Sequence, residues 1–135
     1  MKGLTDIPGI LVGHVTDTRA ITGCTVILCG NDAVGGIDVR GSATGSCDVD
    51  VLDPGHVTPN VNAIVLAGGS AFGLETAAGV RRALEKRGVG YRFGGVHIPI
   101  VAGAILFDLG IGSSTVRPDR EMGERAVEAA ADRAV

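Results

Sequence analysis

The stretch NAIVLAGGSAFGLETAAGV, residues 62–80, decides the fold. Residues 62–67 are a short apolar run without alternation, the pattern of an interior strand covered on both faces. The run leads without a spacer into Gly68, Gly69 and Ser70. After them Gly73, Ala77, Val80 and Leu84 recur on one face of a helix predicted over 70–87, with Glu75, Arg82 and Lys86 elsewhere on its surface and Gly88 as the stop. Strand, glycine turn and helix in direct succession indicate an α/β protein. The N–H groups at such a turn can hold an anion, with Gly68 and Gly69 letting a ligand approach the backbone and Ser70 facing it. In the alternative reading Ser70 caps the helix and the two glycines only permit the turn. Both readings stand at this point.

Two familiar loops are excluded here. A nucleophile elbow needs G-x-S-x-G, but Phe72 occupies the fifth place. A dinucleotide loop needs G-x-G-x-x-G, and the second glycine is misplaced in GGSAFG, residues 68–73.

Working outward, residues 9–15 and 22–29 have strand character around the polar turn 16–20, and 22–29 is apolar on both alternating faces. A turn at 30–32 precedes 33–39, a predicted hairpin strand with Asp38 and Arg40 on its polar side. The small, polar, glycine-rich segment 40–53 is either a surface loop or the lining of a site. Beyond the helix, 89–93 is a short predicted strand broken by Gly94 and Gly95, and 97–101 is a β-branched run that Pro99 places at an edge or a bend. Residues 104–107 are predicted as another strand, ended by Asp108 and the loop 110–114. The last helix starts at Asp119 as its cap, with Met122, Ala126, Val127 and Ala129 as its packed face. No glycine or proline closes it, so the chain is expected to continue in the parent protein.

Composition narrows the function classes. Hydrophobic residues at 45% and charged residues at 20% describe one globular domain's worth of chain. The net charge of -3 is dispersed, and Phe72, Tyr91, Phe93 and Phe107 are the whole aromatic set, so no nucleic-acid surface is expected. The N-terminal residues lack a signal-peptide core and no run of 18 apolar residues occurs, which predicts a cytoplasmic chain without membrane contact. Cys24, Cys29 and Cys47 are expected as three reduced thiols, and their spacing with His14, His56 and His97 fits no zinc pattern. No metal or other cofactor is expected. The acid–base candidates are those three histidines with Asp38, Asp48, Asp50 and Asp108, none paired by spacing.

Five separated segments then carry a resemblance: TGCTVIL at 22–28, GIDVRGSATG at 36–45, VLDP at 51–54, AIVLAGGSAFGLETAAGV at 63–80 and IPIVAGAILFDL at 98–109. In this order they resemble the P1 family of peptidases, which includes L-aminopeptidase/D-esterase enzymes, β-peptidyl aminopeptidases and nylon-oligomer hydrolases. Ala102 stands where many relatives have proline. The resemblance implies a layered α/β/β/α fold shared with ornithine acetyltransferase, and a precursor that cuts itself into a larger α and a smaller β fragment. A Ser or Thr exposed by that cut would be the nucleophile, with its own new amine as base. Neither that residue nor the asparagine thought to build the oxyanion hole matches anything before Val135, so no catalytic residue is assigned here.

Residues 1–135 therefore read as a single incomplete domain, the N-terminal portion of the α fragment of an aminopeptidase or amide hydrolase. Alternatives are an acyltransferase of related fold or a non-catalytic remnant. Ser70, Phe72 and Phe107 are the expected substrate-binding residues, with Gly68 and Gly69 at the turn. The expected partners are the rest of the precursor with its β fragment, a small amide or peptide substrate, and further copies in a homo-oligomer. Alone, residues 1–135 are expected to be inactive and incompletely folded.

Overall fold

A computed structural model describes residues 3–133. Among them are seven strands, β1 (Leu11–Asp17), β2 (Thr22–Leu28), β3 (Ser46–Cys47), β4 (Ala63–Ala67), β5 (Tyr91–Phe93), β6 (Val96–Ile98) and β7 (Val101–Ile105), and two α-helices, α1 (Glu75–Lys86) and α2 (Arg120–Ala129). Five strands form the central sheet in the order β1-β2-β4-β7-β3, and β5 and β6 form a separate hairpin. The β4–β7 pair is parallel, with α1 and the small hairpin in the crossover, whereas the other pairs are antiparallel. The apolar run 62–67 thus becomes the middle strand. Asn62 fixes its start: the buried amide donates to the Gly30 carbonyl at 2.9 Å and accepts the Ile100 N–H at 2.8 Å.

Both helices lie on one face of the sheet. Val26 and Val65 pack there against Val80 of α1 and Val127 of α2 in a single core cluster. Asp119 caps α2 by accepting the Met122 N–H at 2.9 Å, as the sequence led one to expect. The buried face of α2 is Gly123, Ala126 and Val127, while Ala129 points to solvent. Gly123 replaces Ala129 on that face because the two helices cross with almost no side chain between them. A Cβ on Gly123 would overlap the Thr76 carbonyl of α1, and one on Gly79 would overlap the Arg120 carbonyl of α2. Arg82 and Glu124 close the crossing at the surface with an ion pair, and the Arg82 hydrogen bond holds the Glu124 carboxyl below its usual range.

The same crossing contains a polar misfit. Thr76 is fully buried and its hydroxyl has no hydrogen-bond partner among the described residues. Thr76→Val keeps the branched shape and removes the unpaired hydroxyl, so it should raise stability by about 1 kcal/mol. Urea unfolding of the two forms checks this; a loss of stability would mean that the hydroxyl is satisfied in solution.

Among the described residues, the other face of the sheet is covered only at one end. Ile64 and Ala102 pack there against Leu52 and Val61 in a second, smaller cluster. Leu52 belongs to a 3-10 turn, Asp50–Leu52, inside the segment predicted only as loop or site lining. Further along β4, Leu66 is 46% exposed, so the strand is interior in the sheet without being covered on both faces. Residues 33–39 do not form the predicted hairpin strand. They are held by a single bridge between Val34 and Asn60, because the second edge of β2 is taken by β4. The two runs expected at 97–101 and 104–107 resolve into β6 and β7, with a bend at Pro99 and Ile100 and with Phe107 beyond the strand end. The outer edge of β1 is partly closed by Ala131, which exchanges N–H···O bonds of 2.9 and 3.0 Å with Val12.

Candidate functional site

On the uncovered face an open groove of about 720 Å³ runs over the β1–β2 hairpin and the C-terminal ends of β4 and β7. His14, Thr22, Thr25, Leu66, Leu106 and Asp108 line it. Parallel strands of α/β proteins bind ligands beyond their C-terminal ends, where side chains from separate loops converge. Here β4 delivers the glycine corner 68–70, and β7 delivers Leu106 and Asp108 beside it.

The corner is locked from three sides. Gly68 N–H donates to the Gly23 carbonyl at 2.9 Å, Gly69 N–H to Asp108 Oδ1 at 2.6 Å, and Ser70 N–H to the Leu106 carbonyl at 2.9 Å. Asp108 Oδ2 accepts the Thr22 hydroxyl at 2.7 Å. Gly68 must lack a side chain because a Cβ would overlap both the Asp108 carboxylate and the Thr22 hydroxyl. Gly69 has φ 84° and Ser70 φ 54°, two successive left-handed residues, and the second is not glycine. Such a conformation costs a residue with a Cβ about 1 kcal/mol or more, which the surrounding bonds must hold. Burial alone would raise the Asp108 pKa, but the hydrogen bonds from Gly69 and Thr22 outweigh it and hold the carboxyl below its usual value.

These bonds bear on both readings of the turn. All three N–H groups at 68–70 are engaged within the protein: Gly69 meets the chain's own Asp108 carboxylate, while Gly68 and Ser70 donate to the carbonyls of Gly23 and Leu106. The Ser70 side chain makes no capping hydrogen bond; Gly69 occupies the cap position and a 3-10 turn, Ser70–Leu74, precedes α1. Ser70 itself is half-buried at the corner, Phe72 is 54% exposed, and Phe107 is 79% exposed just past β7. The guanidinium of Arg117 lies over the Phe72 ring, 3.6 Å from its centroid.

The acid–base candidates scatter, with two exceptions. Asp38 pairs with Arg40, Asp48 pairs with Arg81, and Asp50 begins the 3-10 turn. His56 sits against the Asp53 carbonyl, and His97 faces Arg92 across the small hairpin. His14 and Asp108 alone among them meet in the groove, and His14 Nδ1 lies 2.7 Å from the Thr25 hydroxyl. Thr22, Thr25 and Arg117 were not singled out from the sequence. The observed register places Thr25 opposite His14, two residues beyond Gly23, the partner that a turn confined to residues between 15 and 22 would give it. The three cysteines are free thiols, and burial pushes the Cys24 thiol up to about 11 and raises Cys29 and Cys47 as well. A thiol held protonated is a poor nucleophile. Among the described residues, no three His, Cys, Asp or Glu side chains gather as a metal site, and no helix is long and apolar enough to cross a membrane.

Residues 2–135 match the family model described as peptidase family S58. The chain belongs to peptidase family S58. Its mixed α/β architecture, a central sheet with helices packed on it, agrees with the layered α/β/β/α organisation of S58 peptidases. The chain is 43% identical to an uncharacterized aminopeptidase of Mycobacterium leprae over 143 aligned positions, covering 100% of this chain and 40% of that protein. An uncharacterized aminopeptidase of Mycobacterium tuberculosis is 41% identical over 96% of the chain and 40% of the relative. A 6-aminohexanoate-oligomer endohydrolase of a Kocuria species is 38% identical over 91% of the chain and 32% of the relative. The chain thus spans about 40% of the length of these aminopeptidase relatives.

Proposed function

We propose that this chain is the N-terminal portion of a self-processing aminopeptidase or amide hydrolase, and that its groove forms one wall of the substrate pocket. The observation that carries this reading is the family match over residues 2–135, joined to a groove that opens where the parallel strands end. In the proposed reaction a Ser or Thr hydroxyl, freed as an N-terminus by self-cleavage outside residues 1–135, loses its proton to its own α-amine and attacks the substrate carbonyl. An α-amine titrates near 8, so it can accept that proton at neutral pH. The amine leaving group takes the proton back, an acyl-enzyme remains, and water releases the acid. Ser70, Phe72 and Phe107, which lie beside the groove rather than in its lining, take the positioning roles, the aromatic rings presenting apolar surface to the substrate chain. A relative named for hydrolysing 6-aminohexanoate oligomers supports a short, flexible amide as substrate. We further propose that the active form combines this chain with the remainder of its precursor, that several such units assemble, and that the protein is cytoplasmic.

The test is to express the complete protein and this chain separately, follow self-cleavage by intact mass, and assay short amides and p-nitroanilides. The complete protein should split in two and hydrolyse them, while residues 1–135 alone should not. Turnover by the isolated chain, lost on mutating one of its own residues, would sink the proposal.

A further inference from the structure

Resting on the hydrolase reading, a second feature of the glycine corner points to what its substrate carries. The side of the corner away from Asp108 is packed by residues 117 and 118. A Cβ at Gly69 would lie 3.2 Å from Arg117 Cβ and 3.1 Å from Pro118 Cδ, and Pro118 is fully buried. From this anchored point Arg117 extends over Phe72, and its Nε donates to the Ser114 carbonyl at 2.7 Å. The ring fixes the plane of the guanidinium and the carbonyl fixes its rotation. Among the described residues no carboxylate lies within ion-pair distance of it, although Asp119 and Glu121 line the same recess. The Nη donors are left to whatever enters beside Phe72.

A guanidinium held in this way is suited to one kind of group. Stacking on an aromatic face covers its weakly hydrated plane and leaves the donors at its edge, which match the two oxygens of a carboxylate. The order already imposed by Phe72 and Ser114 lowers the entropy lost when such a group binds. Asp108 is not that partner: it makes no ion pair with Arg117, and its two oxygens accept from Gly69 and Thr22.

We propose that Arg117, stacked on Phe72, is the subsite for a free carboxylate at the far end of the substrate, so that the enzyme prefers short chains ending in an acid over their neutral amides. In the complete protein, kcat/KM is measured for alanyl-alanine and for alanyl-alaninamide, which differ only in the terminal group. Arg117→Gln should lower the acid-to-amide ratio at least tenfold, mainly through KM. Arg117→Lys should lower it less, and Phe72→Leu should also lower it by removing the stack. Calorimetric titration with N-acetylalanine supplies a readout that needs no turnover: the wild type should bind it and Arg117→Gln should not. If neither dipeptide is cleaved but N-acetylalanine binding depends on Arg117, the hydrolase reading fails and the subsite stands. An unchanged ratio in all three variants, or equal binding of N-acetylalanine with and without Arg117, overturns the subsite.

Discussion

Gly79→Ala is expected to destabilise the protein by about 2 kcal/mol, although the same exchange in an exposed helix is stabilising by up to about 1 kcal/mol. The sign is set by what the new methyl meets. Its Cβ would overlap the carbonyl oxygen of Arg120, a backbone atom at the first turn of α2 that cannot rotate away. The helices must then separate, and Gly123 against the Thr76 carbonyl shows that the contact is equally close on the reciprocal side. Separation would loosen Val80, Ala126 and Val127, all essentially inaccessible to solvent. Overpacking of this kind costs about 1 to 3 kcal/mol and outweighs the helix-propensity gain. Denaturant unfolding decides it: a variant as stable as the parent would show that the helices can part without loss.

Asp108→Ala is expected to cost about 2 to 3 kcal/mol, because one carboxylate holds both the Gly69 N–H and the Thr22 hydroxyl across three elements. Asp108→Asn should cost less, since an amide oxygen can still accept from Gly69. The carboxylate also makes stability depend on pH in a defined direction. Its pKa is lowered in the folded state, so the stabilisation is complete above the ordinary value of 3.8 and is lost as pH falls through the lowered one. Unfolding free energies measured from pH 6 downward, for wild type and Asp108→Ala, should therefore converge in acid. Parallel curves throughout that range would mean that the ionised carboxylate is not what holds the corner.

Both effects depend on partners far apart in the chain, which marks the limit of what could be read from sequence. Strand β4, the helical stretch after the glycine corner and the Asp119 cap were legible because each rests on neighbours within a few residues. The α/β class followed from the same local patterns, and the family from the resemblance that five separated segments carry. Thr22 and Asp108 are 86 residues apart, and nothing in the local pattern of either points to the other. Arg117 over Phe72 is hidden for the same reason. Residues 33–39 misled because their alternation is that of a strand, while the edge they would pair with is already occupied by β4. Leu66 misled in the opposite way: an unbroken apolar run describes a side chain suited to burial, and the groove leaves it half open.

The bonds between Val12 and Ala131 have a consequence for how the sheet meets other molecules. A strand such as β1, with no strand paired on its outer side among the described residues, offers free N–H and C=O groups on which a foreign strand can grow. The segment after α2 occupies part of that template, so the register needed for end-on growth is interrupted near the start of β1. Undocking of α2 would therefore do more than loosen a helix. It would unmask a nucleation point for aggregation, and the hydrogen–deuterium exchange rate of the Val12 amide is the natural gauge of how often that happens.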